Sequence, residues 1–140
     1  MARASRLASV ALLLAGGFIH YRLWRHGYRG IPYIGPLFLA NVISSALIAL
    51  GLLIFRRSTT VMLGGAALSA GSLVALVMSR TTGILGFTDG SWTHDAYGAI
   101  AAELGAVVSL AVLAAATGRR RPLLPAESPP SRLQHPPSQG

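Results

Sequence analysis

The sequence predicts an all-α protein: a four-helix transmembrane bundle followed by a disordered, proline-rich C-terminal tail. Of the 140 residues, 52% are hydrophobic and only 11% are charged, whereas a soluble domain carries roughly 25% charged residues. The mean hydropathy of +0.55 agrees with this. Long stretches of sequence that carry no charge also separate the charged residues into groups. A soluble enzyme, an ordinary DNA-binding domain and a disordered chain are therefore poor interpretations.

The four uncharged windows predict the four spans. A helix needs about 20 residues to cross the hydrocarbon core, and three of the windows reach that length. The first is shorter, but Arg22 and Arg25 at its end can extend toward the interface. Only Glu103 interrupts the fourth. We expect a transmembrane domain over residues 1–117, a basic, proline-rich cytoplasmic tail over 118–140, and spans near 5–24, 36–55, 60–79 and 97–117.

The first span also has features of a cleaved signal peptide. Arg3 and Arg6 precede an apolar run over residues 7–19, and the small residues 15–17 within that run offer a cleavage site. Three further spans and the interface-like segment 20–24 favour a retained helix. Cleavage stays open as an alternative.

The distribution of arginine predicts the orientation. The chain has 12 basic residues, all arginine, and a net charge of +8. By the positive-inside rule, the side with more of them faces the cytoplasm. We expect a multi-pass protein of the cell membrane with both termini cytoplasmic. The side that holds the two termini and the second loop would then carry eight of the twelve arginines: Arg3, Arg6, Arg56, Arg57, Arg119, Arg120, Arg121 and Arg132. The outer side would hold Arg22, Arg25, Arg29 and Arg80.

Four polar residues lie at similar depth near the outer ends of the spans. At 1.5 Å per residue, His20, Asn41 and Glu103 lie about 6 to 9 Å inside, and Arg80 lies at a helix end. They form the candidate polar cluster. Glu103 is the one acidic residue inside a span, where an ionised carboxylate is costly unless it is paired. It is either a working carboxylate or a structural partner of Arg80 or His20.

A weaker hypothesis is a metal site on the same side. Imidazole and carboxylate ligands suit zinc, copper or iron, and His20, His26, His94 and Glu103 are the candidate ligands. Their spacing matches no metal motif, so no cofactor is predicted, although a metal or haem stays an alternative. The absence of cysteine excludes thiolate ligands.

Aromatic and basic residues mark the predicted outer interface. Trp, Tyr and snorkelling Arg collect at the headgroup level of membranes. This belt comprises Tyr21, Arg22, Trp24, Arg25 and Trp92. The mixture could also indicate single-stranded nucleic acid binding, but its place at the end of a span favours lipid contact, and no nucleic-acid partner is expected.

Small residues predict close helix packing. Stripes at i, i+4 spacing let helix backbones approach closely in a membrane. The third span carries Ala67, Gly71, Ala75 and Ser79, and the fourth carries Gly98, Ala102 and Ala106.

Four motifs together resemble a group of small, uncharacterised four-span integral membrane proteins of GC-rich bacteria. They are HYRLW at 20–24, IPYIGPLFLAN at 31–41, SRTTGILGF at 79–87, and Glu103. The resemblance covers about residues 5–117 and supplies no activity. It implies that the His, Asn, Arg and Glu positions are the group's characteristic set. Small multidrug-resistance exporters differ, because their membrane glutamate lies in the first span.

The sequence contains no phosphate-binding loop and no recognisable catalytic spacing. We therefore expect a non-enzymatic accessory or interaction subunit, whose partners are the bilayer and a protein or a second copy of the chain. A metal- or haem-binding module and a small proton-coupled transporter that uses Glu103 are the alternatives.

Overall fold

The computed structural model describes residues 2–119, which form four α-helices. They are α1 (Ala2–Arg25), α2 (Ile34–Ile54), α3 (Thr59–Arg80) and α4 (His94–Gly118). The four predicted spans are confirmed, and each predicted end lies within one helical turn of the observed one. All four helices are long and apolar enough to cross a membrane. Of the tail predicted over residues 118–140, the structure describes only Gly118, which is the last residue of α4, and Arg119.

Local signals in the sequence fix the helix ends. Ser58 and Thr93 cap the N-termini of α3 and α4, where their hydroxyls accept hydrogen bonds from the backbone N–H groups of Val61 and Ala96. The start of α2 depends on Gly35. A Cβ there would lie 2.6 Å from the carbonyl oxygen of Arg29, so only glycine lets the preceding 3-10 turn (Tyr28–Gly30) pack against the helix.

The helices form an up-and-down bundle in which each helix packs against its sequence neighbours and α1 packs against α4. The contact between α2 and α3 is the least extensive of these four. One end of the bundle, the short-loop end, carries the connection 55–58. The other, the long-loop end, carries the connections 26–33 and 81–93. The apolar core lies toward the short-loop end, around Leu13, Leu52, Met62 and Leu110.

The two middle helices diverge along their length. Near the short-loop end they are close: a Cβ on Gly65 would lie 3.0 Å from Ile48 Cγ2, and one on Gly51 would lie 3.1 Å from Val61 Cγ1. Two turns further along α3, a Cβ on Gly71 would meet nothing within 4 Å. The stripe of small residues on α3 therefore lies along an opening between α2 and α3. The prediction that this stripe packs closely against a neighbouring helix is wrong at Gly71.

The corresponding stripe on α4 packs as predicted. Ala102 and Ala106 are buried, and a Cβ on Gly98 would touch Ile19 of α1. The outer faces of all four helices are apolar and exposed, as at Leu47 and Val108. Such faces suit a bilayer, where lipid tails solvate them. The architecture is that of a multi-pass membrane protein.

Candidate functional site

All four helices contribute polar side chains to one region of the bundle interior, between its centre and the long-loop end. Glu103 of α4 is the only acidic residue there among residues 2–119, and its exposed fraction is 5%. Around it lie hydroxyl, amide and imidazole groups from the other three helices. We call this set the interior cluster; it comprises His20, Asn41, Ser45, Ser69, Ser72 and Glu103.

The Glu103 carboxylate lies against α1. A Cβ on Gly16 would lie 3.1 Å from Glu103 Oε1, so the glycine leaves the space that the carboxylate occupies. One turn further along α1, His20 Nδ1 lies 3.8 Å from the same oxygen. The hydroxyls of Ser69 and Ser72 face the carboxylate from α3. The carboxyl group is thus surrounded by polar groups and screened from lipid.

The tautomer of His20 follows from its backbone contact. Its Nδ1 lies 2.9 Å from the carbonyl oxygen of Gly16. A carbonyl can only accept a hydrogen bond, so Nδ1 carries the proton and donates it. This leaves Nε2 for a further hydrogen bond. The ring itself is tilted against Phe38 of α2, with 5.1 Å between the centroids.

Asn41 joins α2 to α3. Its Nδ2 donates a hydrogen bond of 2.5 Å to the Ser72 hydroxyl, and its Oδ1 accepts one of 3.3 Å from Ser45. Asn41 and Ser45 lie one turn apart on the same face of α2, so their polar groups continue from the cavity toward the centre of the bundle. Ser69 is different: it is fully buried, and its Oγ has no hydrogen-bond partner within standard geometry among the described residues.

A cavity of about 400 Å³ adjoins the interior cluster between α2 and α3. Most of its wall is apolar, and its polar lining comes from His20, Tyr28, Asn41, Ser44, Ser72, Ser79 and Arg80. Ala40, Ala67 and Gly71 also line it and are exposed on the outside of the bundle. The cavity therefore opens sideways, toward the position of the lipid.

The long loop closes the cavity at the end of the bundle. Leu85 and Gly86 adopt positive φ angles of 51° and 77°, which folds Ile84 back to pair with Phe87. Phe87 lines the cavity and contacts Tyr28 edge-on, with 5.7 Å between the centroids. Tyr28 in turn stacks on Phe38 at 4.9 Å.

Arg80 and Asp89 hold this loop in place. Arg80 Nη1 lies 2.6 Å from Asp89 Oδ2 and also donates to the Asp89 carbonyl oxygen. Tyr28 donates a hydrogen bond to the same carboxylate, and Ser91 donates from its hydroxyl and its backbone N–H. We call Arg80, Asp89, Tyr28 and Ser91 the loop lock.

Electrostatics support the loop lock. Burial alone would raise the pKa of the Asp89 carboxyl, but hydrogen bonds from Ser91, Tyr28 and Arg80 outweigh it and hold the pKa well below its ordinary value. For the Tyr28 hydroxyl, burial and then the hydrogen bond to Asp89 raise the pKa. Both groups are held in the protonation states that this contact needs: an anionic carboxylate and a neutral phenol.

The structure brings together most of the candidate polar cluster. His20, Asn41 and Glu103 all belong to the interior cluster. Arg80 lines the same cavity, but its charge is paired with Asp89. Arg80 and His20 were the two predicted structural partners of Glu103, and the residue that lies beside Glu103 is His20.

The candidate metal ligands are more dispersed. His26 and His94 are exposed, and the Nδ1 of His26 bonds to the carbonyl oxygen of Arg22. Within residues 2–119, no group of three or more His, Asp or Glu side chains could hold a metal ion. A metal or haem at His20 stays an alternative, and metal analysis with an absorption spectrum, run beside His20→Ala, tests it.

The predicted interface residues lie at the long-loop end. Tyr21 and Trp24 stack with 6.3 Å between their rings, and Arg25 donates a hydrogen bond to the Tyr21 hydroxyl. Arg22 lies 3.6 Å from Asp95 of α4. Trp92 is exposed and stacks on Tyr97. This arrangement is typical of an aromatic belt.

Sequence reasoning missed Ser69, Ser72 and the role of Asp89. A serine inside an apolar span changes the hydropathy little, so only its spacing could have marked it: Ser69 and Ser72 are three residues apart and share a helix face. Asp89 lies in a loop, and its partner depends on the turn at Leu85 and Gly86.

Comparison of the chain with known families, curated proteins and solved structures gives no match.

Proposed function

We propose that the chain is a non-enzymatic integral protein of the plasma membrane that binds a small, lipid-soluble molecule in the cavity between α2 and α3. The observation that carries the proposal is the cavity itself. At about 400 Å³ it falls within the range of small-molecule sites, which are mostly apolar with a few convergent polar groups. An accessory or interaction subunit of this kind holds its ligand for a partner protein.

Two features of the bundle support binding from the bilayer. The cavity opens between α2 and α3, where the contact between helices is least extensive. Its inner wall carries His20, whose Nδ1 bonds to the carbonyl oxygen of Gly16 and whose Nε2 has no hydrogen bond to residues 2–119. A ligand that moves from the bilayer into the cavity therefore replaces its contacts with lipid tails by contacts with the apolar cavity wall, and it gains hydrogen bonds.

The proposal predicts a molecule that purifies with the protein and depends on the cavity. Gly71→Leu adds a side chain where a Cβ meets nothing within 4 Å, so it fills the cavity without a backbone clash. Gly64→Leu is the matched control, since Gly64 is equally open, lies on the same helix and does not line the cavity. The protein is extracted with its native lipids and the bound molecules are analysed by mass spectrometry.

The expected result is a near-stoichiometric small molecule in the wild type and in Gly64→Leu, and a loss of at least tenfold in Gly71→Leu. A molecule retained equally by both variants, or no retained molecule in the wild type, would contradict the proposal.

A small proton-coupled transporter is the second candidate, and the buried pair of Glu103 and His20 favours it. A carboxylate 3.8 Å from an imidazole inside a bundle can exchange a proton with it as a ligand passes. Ligand binding and transport share the same cavity in this interpretation. The replacement of Glu103 discussed below separates the two.

A further inference from the structure

We propose, building on the proposed function, that the ligand is an uncharged, lipid-soluble ring compound that carries a carbonyl oxygen, as quinones do. Three features of the cavity carry this inference: the balance of its charges, an unused buried hydrogen-bond donor, and the shape of its walls.

Among the described residues, no unpaired charge lines the cavity. Arg80 is paired with Asp89 at 2.6 Å, and Glu103 lies behind the wall, beside His20. A charged headgroup in the cavity would lose its hydration without gaining a free counter-charge from the described residues, which is costly in a low-dielectric site. This favours a neutral ligand over an anionic lipid headgroup or an organic cation.

Arg80 carries a hydrogen-bond donor that none of the described residues accepts. Its side chain is only 8% exposed, and while Nη1 serves Asp89, its Nε is buried with no hydrogen-bond partner in the part of the chain that the structure describes. Arg80 lines the cavity, while its Nε is covered by protein atoms, so a ligand reaches this group only when the Arg80 side chain shifts. An N–H group needs an acceptor, and a ligand carbonyl oxygen supplies one without adding charge.

The opposite part of the lining offers further hydrogen bonds. Asn41 Nδ2 has two N–H groups, one of which serves Ser72. Ser44 also lines the cavity and carries a hydroxyl group. A ring with oxygens at two positions can therefore bond to Arg80 at one end and to the interior cluster at the other.

The walls suit a flat ring. Small residues form much of the α3 side, and aromatic rings stand near the loop end. The small residues are Ala67, Gly71 and Ala75, and the aromatic ones are Tyr28, Phe38 and Phe87. Stacking and edge contacts with aromatic rings favour an aromatic or quinonoid ligand. An apolar tail would leave through the lateral opening into the lipid.

The test measures binding of four probes to the purified full-length protein by titration calorimetry in detergent. Naphthoquinone is the expected ligand type. Naphthalene lacks the oxygen, naphthoquinone sulfonate adds a negative charge, and a fatty alcohol lacks the ring. We expect naphthoquinone to bind at least tenfold more tightly than the other three, and Gly71→Leu but not Gly64→Leu to abolish its binding.

Arg80→Lys probes the unused donor. Lysine retains a cation for Asp89 but has no Nε–H at that position. Since one hydrogen bond to a charged group corresponds to roughly tenfold in affinity, naphthoquinone should bind about tenfold more weakly to this variant, while naphthalene binding should not change. Equal weakening of both probes would show a general disturbance of the cavity and overturn the role of Arg80.

The outcomes separate the two proposals. If the sulfonate or the fatty alcohol binds best and Gly71→Leu abolishes that binding, the cavity is a binding site and only the ligand class is wrong. If none of the probes binds in a way that Gly71→Leu affects, the proposed function and the ligand class both fail.

Discussion

Two buried ionisable side chains in this bundle are stabilised in different ways. Glu103 lies inside a span, where hydroxyl groups, an imidazole and the backbone of Gly16 surround it. Arg80 lies at the end of a helix and reaches back to an aspartate in the following loop. An unpaired charge in either place would cost several kcal/mol. The first arrangement leaves the charge beside a cavity, and the second fixes a loop over it.

Replacement of Glu103 tests whether its carboxylate is structural. Glutamine has nearly the same shape and keeps a polar group beside the hydroxyls of Ser69 and Ser72, so Glu103→Gln should lower the free energy of unfolding by less than about 1 kcal/mol. Glu103→Ala leaves a void and buried hydroxyls without a partner, and should cost about 2 kcal/mol. Leu104→Ala, at a lipid-facing neighbour, is the control. Unfolding by sodium dodecyl sulfate in mixed micelles measures all three.

The same glutamine variant distinguishes a binding protein from a proton-coupled transporter. Glutamine cannot release a proton at any accessible pH. In vesicles, a transporter would lose proton movement linked to ligand uptake, whereas a binding protein would bind the ligand as before. A Glu103→Gln protein as unstable as Glu103→Ala would show that the negative charge itself holds the bundle together.

At the scale of the elements, α3 shows what the sequence could and could not predict. Its ends follow from Ser58 and Arg80, which flank an apolar window, so the helix was predictable. Its small residues predict close approach, and Gly65 fulfils this. Gly71 does not, because α2 has diverged by that point. Composition of one helix cannot specify the angle between two helices, since that depends on all the side chains packed between them.

The same limit applies to the site. A glutamate inside an apolar window is conspicuous, so Glu103 and a pairing with His20 could be proposed. The partner of Arg80 could not be chosen, because Asp89 reaches it only through positive φ angles at Leu85 and Gly86. Positive φ at a leucine has no sequence signal. Long-range partners of loop residues therefore required the structure.

The loop lock predicts a pH-dependent stability of residues 81–93. The pKa of Asp89 is lower in the folded protein than in the unfolded chain, so its contribution is present above the unfolded value and is lost as the pH falls through the folded value. The loop should therefore stay protected below about pH 4, where an ordinary aspartate is half protonated, and open only in stronger acid. Hydrogen exchange of the loop amides, corrected for intrinsic rates, measures this.

A variant checks the assignment to Asp89. Asp89→Asn removes the charge that Arg80 faces, and should raise loop exchange at neutral pH by at least tenfold, because a buried pair is lost. Asp95→Asn removes the more exposed pair with Arg22 and should have little effect on the loop. Similar exchange in both variants would mean that the aromatic contacts of Tyr28 and Phe87 hold the loop without the ion pair.

At the scale of the whole molecule, the two ends of the bundle differ in charge and in structure. Arg3, Arg6, Arg56 and Arg57 belong to the short-loop end, where Arg6 donates a hydrogen bond to the carbonyl oxygen of Arg56. The long-loop end carries Asp89 and Asp95 beside its arginines, as well as the aromatic belt and the loop over the cavity. Because Arg119, Arg120, Arg121 and Arg132 also follow α4 in the sequence, the positive-inside rule predicts that the loop lock faces the outer side, where the external pH would reach Asp89 directly.

This orientation can be tested with single cysteines, because the chain contains none. Thr60 and Thr88 are both exposed threonines, the first near the short-loop end and the second in the long loop. In intact cells, a membrane-impermeant maleimide should label Thr88→Cys and should label Thr60→Cys only after permeabilisation. The reverse pattern would place the loop lock in the cytoplasm, and acid outside the cell would then leave the loop closed. Labelling of both variants in intact cells would contradict a single orientation, since the two positions lie near opposite ends of α3.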